Sequence, residues 1–145
     1  MRHKYLEEQG FTSYADNDWG NDTKHPIKNI FRKIKFYFRK RKTGVDPRSC
    51  YDLDTETMLW IYEHICQFID DADTTVDLDF KKFDFEGKTY TLKEMLNLLK
   101  SEIVSYMRVK ENYDISTFKE EYEREKEHAD RVFDIMKLVL PFLWW

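Results

Sequence analysis

The sequence predicts an all-α protein: a small three- to four-helix bundle with a short β-hairpin insertion and an N-terminal basic amphipathic helix. Three observations predict it. Apolar residues recur at helical spacing in most of the long stretches. One short stretch alternates instead, on either side of a glycine. And 145 residues with 17% aromatics suffice for one core but not for two.

Residues 1–23 read as an irregular lead-in, since Asn, Asp, Gly and Thr dominate its second half. Trp19 is the large apolar residue there, and docking into the body is its expected role. Residues 26–42 read as a helix. Pro26 suits the first turn, where its missing N–H is no loss. Ile27, Ile30, Phe31, Ile34 and Phe38 form one stripe, with Lys28, Arg32, Lys35, Arg39 and Lys42 on the opposite face. Gly44 supplies the C-terminal stop. A strand-like alternation of Ile34, Phe36 and Phe38 opposes this reading, but the longer helical stripe outweighs it.

Residues 49–71 read as the next helix, opened by a Ser49–Asp52 capping pair. Its apolar stripe is Leu53, Trp60, Ile61, Ile65, Phe68 and Ile69. An Asp/Thr-rich loop over 70–79 follows. Within residues 80–91 the large side chains alternate about Glu86-Gly87, a hairpin signal. Thr91-Leu92-Lys93-Glu94 is then a capping box that starts another helix, with Leu92, Met95, Leu99, Ile103, Tyr106 and Met107 on its buried face. The last helix starts near Ile115 or Ser116 and runs to Leu140, where Pro141 ends it. Its first half is nearly all charge. The expected core is Leu53, Trp60, Ile61, Ile65, Phe68, Leu92, Met95, Leu99, Ile103, Val132, Phe133, Met136 and Leu140. The organisation is then lead-in 1–23, basic arm 24–43 and helical domain 44–145.

Charge is divided along the chain. Residues 24–43 carry nine cations (Lys24, Lys28, Arg32, Lys33, Lys35, Arg39, Lys40, Arg41 and Lys42) and no Asp or Glu. The rest holds 15 basic and 28 acidic residues, a charge of −13. An acidic body with a basic arm can bind a polyanion, or fold the arm back on itself. Phe31, Phe36, Tyr37 and Phe38, interleaved with the cations, suit base stacking or insertion at a membrane interface. The blander reading is an ordinary amphipathic helix with a charged solvent face.

Motifs for catalysis and metal binding fail on inspection. Glu125-x-x-His128 is half of a di-iron pair, but no second pair exists, so a solvated charged face is expected. Asp71, Asp73, Asp77 and Asp79 suggest a calcium loop, yet Val76 and Lys82 stand where Gly and Glu are required. Cys50 and Cys66, read as lying on one helix sixteen residues apart, are expected to be reduced thiols. His64 and Cys66 are two apart and do not face one another. Four glycines cannot build a phosphate loop. No catalytic residue, metal ligand or cofactor is therefore expected.

The basic run over 33–42, followed by Gly44 and the segment Asp46-Pro47-Arg48-Ser49-Cys50-Tyr51-Asp52-Leu53-Asp54, resembles a family of small uncharacterised bacteriophage proteins. Members carry a basic run, a Gly and an Asp-x-x-x-Leu-Asp helix start, of which this chain has the Leu53-Asp54 step with Ser49 in the Asp position. The closing Leu143-Trp144-Trp145 is similar to their tails. The resemblance implies a phage origin and a place in the bacterial cytoplasm or the virion, and no activity. The absence of an apolar signal segment over 1–10 agrees with a cytoplasmic setting.

The expectation is a non-enzymatic binding protein. Lys28, Arg32, Lys33, Lys35, Arg39, Lys40, Arg41 and Lys42 would meet a polyanion, nucleic acid first among them. Phe31, Tyr37, Trp144 and Trp145 would serve interactions. The alternative is a protein–protein factor: a host-protein binder, a virion component or a homo-oligomer, using the acidic body and the apolar tail. A membrane surface is disfavoured as a partner.

Overall fold

The computed structural model describes residues 4–12, 26–50, 52–72, 75, 77–112 and 116–143. Trp19, Tyr51, Asp73, Trp144 and Trp145 lie outside the described residues. The elements in order are α1 (Lys4–Gln9), α2 (Pro26–Thr43), a 3-10 turn (Pro47–Cys50), α3 (Leu53–Ala72), β1 (Lys82–Phe85), β2 (Lys88–Thr91), α4 (Leu92–Glu111), α5 (Phe118–Val139) and a closing 3-10 turn (Leu140–Phe142). This is a mostly α fold with a hairpin insertion. Two compact units divide the chain at Trp60/Ile61. Among the described residues, no helix is long and apolar enough to cross a membrane.

In the first unit, a short helix stands where the sequence reads as lead-in. α1 closes at Gly10, whose φ of 76° is the left-handed conformation a non-glycine side chain resists. The Phe11 amide then donates to the Leu6 carbonyl at 2.9 Å, and both side chains are buried. The helix read over 49–71 is two elements. The chain turns in 3-10 form through Pro47–Cys50, and α3 starts at Leu53. Asp52 precedes that start. Its carbonyl accepts the Glu56 amide at 3.0 Å and its carboxylate accepts the Thr55 hydroxyl at 2.9 Å. Cys50 and Cys66 therefore do not share a helix.

The buried face of α3 also differs from the expected stripe. Leu53 and Trp60 are exposed, while Thr55, Met58, Leu59, Ile61, Tyr62, Ile65, Cys66 and Ala72 are buried. Ile61 and Ile65 belong to both readings. The buried stripe lies about one residue away in phase, so that Met58, Leu59 and Tyr62 turn inward and Leu53 and Trp60 turn to solvent.

The second unit is organised by the hairpin and by α4 against α5. In the hairpin, Lys82 pairs with Thr91, Phe83 with Tyr90, Asp84 with Thr89 and Phe85 with Lys88. That register leaves a two-residue turn, with φ of 49° at Glu86 and 75° at Gly87. Two positive φ angles match the type I′ turn, whose twist suits paired strands. The capping box is formed in full. The Glu94 amide donates to Thr91 Oγ1 at 3.3 Å, and the Thr91 amide donates to Glu94 Oε2 at 2.8 Å. Such a cap is worth about 1 kcal/mol.

α4 buries Leu92, Met95, Leu96, Leu99, Glu102, Ile103, Tyr106 and Met107. α5 buries Val132, Ile135 and Val139. Each fully buried aliphatic side chain contributes roughly 1.5–3 kcal/mol, so this pair carries much of the unit's stability. Phe133 and Leu140, expected in the core, are exposed instead, and Phe68 and Met136 are half-buried. Ile135 and Val139 hold the seam because they continue the line of Val132 at helical spacing. Pro141 then breaks the helix, and the turn brings Phe142 edge-on to Phe83, ring centroids 5.4 Å apart, with Lys81 Nζ 5.1 Å from the Phe142 ring. Part of the apolar tail is thereby seated on β1.

Candidate functional site

α2 carries the cations that the sequence singles out. Pro26 occupies its first turn, and Lys40, Arg41 and Lys42 its last, where positive charge meets the exposed carbonyl end of the helix. Gly44, at φ 76°, donates its amide to the Lys40 carbonyl at 2.8 Å, and the Thr43 hydroxyl donates to the Arg39 carbonyl at 2.8 Å. Those bonds finish the helix and turn the chain toward Asp46.

Asp46 is the anchor beyond that turn. Arg48 donates from its amide and from Nε to Asp46 Oδ1, each at 3.0 Å, and from Nη2 to Oδ2 at 2.8 Å. Lys40 Nζ stands 3.6 Å from the same Oδ2. The carboxylate is only 9% exposed. The hydrogen bonds from the Arg48 side chain hold its pKa down, from 3.8 to about 2, with burial opposing and Lys40 adding a smaller attraction. Lys33, Phe36, Tyr37, Lys40, Asp46 and Arg48 line a shallow cleft of about 360 Å³ beside this pair.

The orientation of α2 is the unexpected feature. No residue of the helix is buried. Its half-buried positions are Asn29, Arg32 and Phe36, which run down the middle of the basic face. The apolar stripe faces solvent: Ile27 is 68% exposed, Ile30 58%, Phe31 68%, Ile34 46% and Phe38 62%. An amphipathic helix normally buries this face. Here Phe36, half-buried on the other side, lines the cleft beside the Asp46–Arg48 pair.

The expected contact residues fall out accordingly. Lys28, Lys35, Arg39, Arg41 and Lys42 are exposed. Lys33 is exposed at the rim of the cleft, Lys40 is exposed but drawn to Asp46, and Arg32 is half-buried. Phe31 and Tyr37 are exposed as an interaction role requires. The structure brings these residues onto one helix.

No family model matches the chain, and no curated protein or solved structure matches it either. The functional reading rests on the residues alone.

A second constellation was not legible as such. α4 and α5 run antiparallel, and their seam turns polar toward the loop that joins them. The Tyr106 hydroxyl donates to Glu125 Oε1 at 3.1 Å. One helical turn away, Glu102 Oε2 lies 2.8 Å from His128 Nδ1, and Glu102 Oε1 lies 3.3 Å from Arg131 Nη2. Arg131 Nη2 also donates to Glu86 Oε2 at the hairpin turn, at 3.1 Å. Glu125 and His128 therefore form part of a packed seam and not the solvated face the sequence suggests. The signal was present: Glu121, Glu125, His128, Val132, Ile135 and Val139 share one line at i, i+4, i+7, i+11, i+14 and i+18. Both Glu102 oxygens are engaged, so this cluster ties α5 to α4 and to the hairpin. Among the described residues, no group of His, Cys, Asp and Glu is arranged to hold a metal ion.

Cys66 belongs to the same unit. Burial pushes its thiol up from the ordinary 9.0, while Lys100 of α4 and a hydrogen bond with Tyr62 pull the other way. A buried thiol raised in this manner is a poor nucleophile.

Proposed function

We propose that this chain is a non-enzymatic binding protein that engages a polyanion through α2. Nucleic acid is the polyanion anticipated from the sequence. One observation carries the reading: α2 holds eight cations and no acidic residue, and most of those cations are exposed. Phosphate groups would meet Lys28, Lys35, Arg39, Arg41 and Lys42, with Phe31 and Tyr37 beside them. A bacteriophage origin, expected from the sequence resemblance, would set this activity in an infected bacterium or a virion.

Fluorescence anisotropy with labelled single- and double-stranded DNA and RNA tests the reading. Each neutralised phosphate should steepen the fall of log K with log salt by roughly 0.9 for duplex DNA. A variant carrying Lys28→Gln, Lys35→Gln, Arg39→Gln, Arg41→Gln and Lys42→Gln should lose most of its affinity at low salt. Unchanged binding by that variant would refute a role for α2.

A second reading, a protein–protein factor, draws support from the exposed apolar groups. Besides the α2 stripe, Phe118 and Tyr122 stack with centroids 6.4 Å apart, and both are exposed. Apolar surface of this kind favours association. Native mass spectrometry and affinity capture test it: a persistent monomer with no stoichiometric partner would count against this reading.

A further inference from the structure

We infer that the polyanion α2 is built for is the surface of an anionic lipid bilayer, on which the helix lies flat. The inference rests on the polyanion reading above and names its chemistry. The sequence alone disfavours a membrane surface, and the exposed stripe reverses that order.

The face that α2 turns to solvent is the apolar one. A helix that binds nucleic acid through phosphates presents its cations and has no need of an exposed aliphatic stripe, because phosphate contacts are polar. On α2, Ile27, Ile30, Phe31, Ile34 and Phe38 are all exposed on one line, while the middle of the basic face is half-buried. Base stacking could use Phe31 or Phe38, but it offers nothing to three isoleucines.

An anionic bilayer receives both parts. The acyl boundary takes up an apolar stripe of this width, and the headgroups take up the cations beside it. Lys28, Lys35 and Lys42 follow one another at intervals of seven residues, so they run along one border of the stripe. Arg41 closes the stripe itself at its C-terminal end, on the line of Ile30, Ile34 and Tyr37. All four are exposed. Lysine and arginine stems can lie along the apolar surface while their charged ends reach the headgroup phosphates. Charge complementarity selects the lipid: α2 has no acidic residue to repel an anionic leaflet, and each cation near such a surface adds attraction. Its 18 residues carry too much charge to span a bilayer, so it rests on the surface.

The test is co-sedimentation of the full chain with two kinds of vesicle, phosphatidylcholine alone and phosphatidylcholine with phosphatidylglycerol, beside the anisotropy measurement on nucleic acid. Two variants are compared with the wild type, each checked for helicity by circular dichroism. One carries Ile30→Ala, Phe31→Ala and Phe38→Ala. The other carries Lys28→Gln, Lys35→Gln and Lys42→Gln. The wild type should sediment with the anionic vesicles and stay in solution with the neutral ones. The stripe variant should lose roughly tenfold in vesicle affinity for each large side chain removed. The lysine variant should also lose affinity, and its residual binding should depend less on salt.

The failures are distinguishable. If the wild type binds nucleic acid but not anionic vesicles, the lipid assignment is overturned and the polyanion reading stands. If it binds neither, both are overturned. If the stripe variant binds anionic vesicles as well as the wild type, the stripe takes no part and the lipid assignment is again overturned.

Discussion

The Glu102 carboxylate of α4 lies 2.8 Å from His128 Nδ1 of α5, with its side chain only 11% exposed. Its other oxygen is 3.3 Å from Arg131, whose Nε is itself buried without a hydrogen bond among the described residues. Removing the carboxylate takes a hydrogen-bond partner from His128 and leaves Arg131 Nη2 with Glu86 alone of the two carboxylates. Glu102→Ala should therefore cost about 1–3 kcal/mol. The check is urea denaturation, completed by a double-mutant cycle with His128→Ala, in which a coupling of roughly 1 kcal/mol is expected. A change within about 0.5 kcal/mol for Glu102→Ala would show that the seam does not depend on this pair.

The two thiols should separate cleanly by reactivity. Cys50 is exposed and Cys66 is buried, with its thiol pKa raised by that burial. Under native conditions an aromatic disulfide reagent should label Cys50 rapidly. Cys66 should react on the order of a hundredfold more slowly, at a rate set by opening of its surroundings. Mass spectrometry of timed samples reads both sites, and equal rates would contradict the packing of α3.

What was legible in the sequence follows from how local each signal is. The hairpin turn at Glu86-Gly87 and the Thr91–Glu94 cap depend on four or five adjacent residues, and both are present as expected. The α4 face was legible because Leu92, Met95, Leu99 and Ile103 repeat at helical spacing among polar neighbours. The polar seam of α5 was not, because Glu125 and His128 look like surface until Glu102 and Tyr106 are placed opposite them. The face α2 exposes was also beyond reach. Periodicity reveals that a helix has an apolar stripe, but not whether anything covers it.

Gly87 isolates the contribution of the turn. Its φ is 75°, and a Cβ there would meet nothing within 4 Å. Gly87→Ala therefore tests backbone strain without a steric clash, and should cost about 1 kcal/mol. Thermal denaturation should show the loss. An unchanged midpoint would mean the hairpin relaxes to another turn.

Asp46 gives the first unit an acid sensitivity. Its folded pKa of about 2 lies below the ordinary 3.8. The stabilisation it brings is thus complete above about pH 4 and is lost as the pH falls through about 2. The loss should be on the order of 2 kcal/mol. Asp46→Asn cannot titrate, so its stability should change less over the same interval. Denaturant midpoints for both proteins at about pH 5 and about pH 2 make the comparison. Parallel losses would place the acid sensitivity elsewhere.

The exposure of the α2 stripe can be tested through stability alone, with no ligand present. In a helix that buried its stripe, truncating Ile30, Phe31 and Phe38 together would remove several core side chains, at about 2–5 kcal/mol each. With those side chains in solvent, truncation removes little contact and replaces each residue with the best helix former. Ile30→Ala, Phe31→Ala and Phe38→Ala combined should therefore leave stability within about 0.5–1 kcal/mol of the wild type. Leu99→Ala, at a fully buried α4 position, should cost about 2–5 kcal/mol in the same assay. If the triple variant is destabilised as much as Leu99→Ala, the stripe is covered in solution. Either the body or a second copy of the chain then occupies it, and α2 has no free apolar face to offer a membrane.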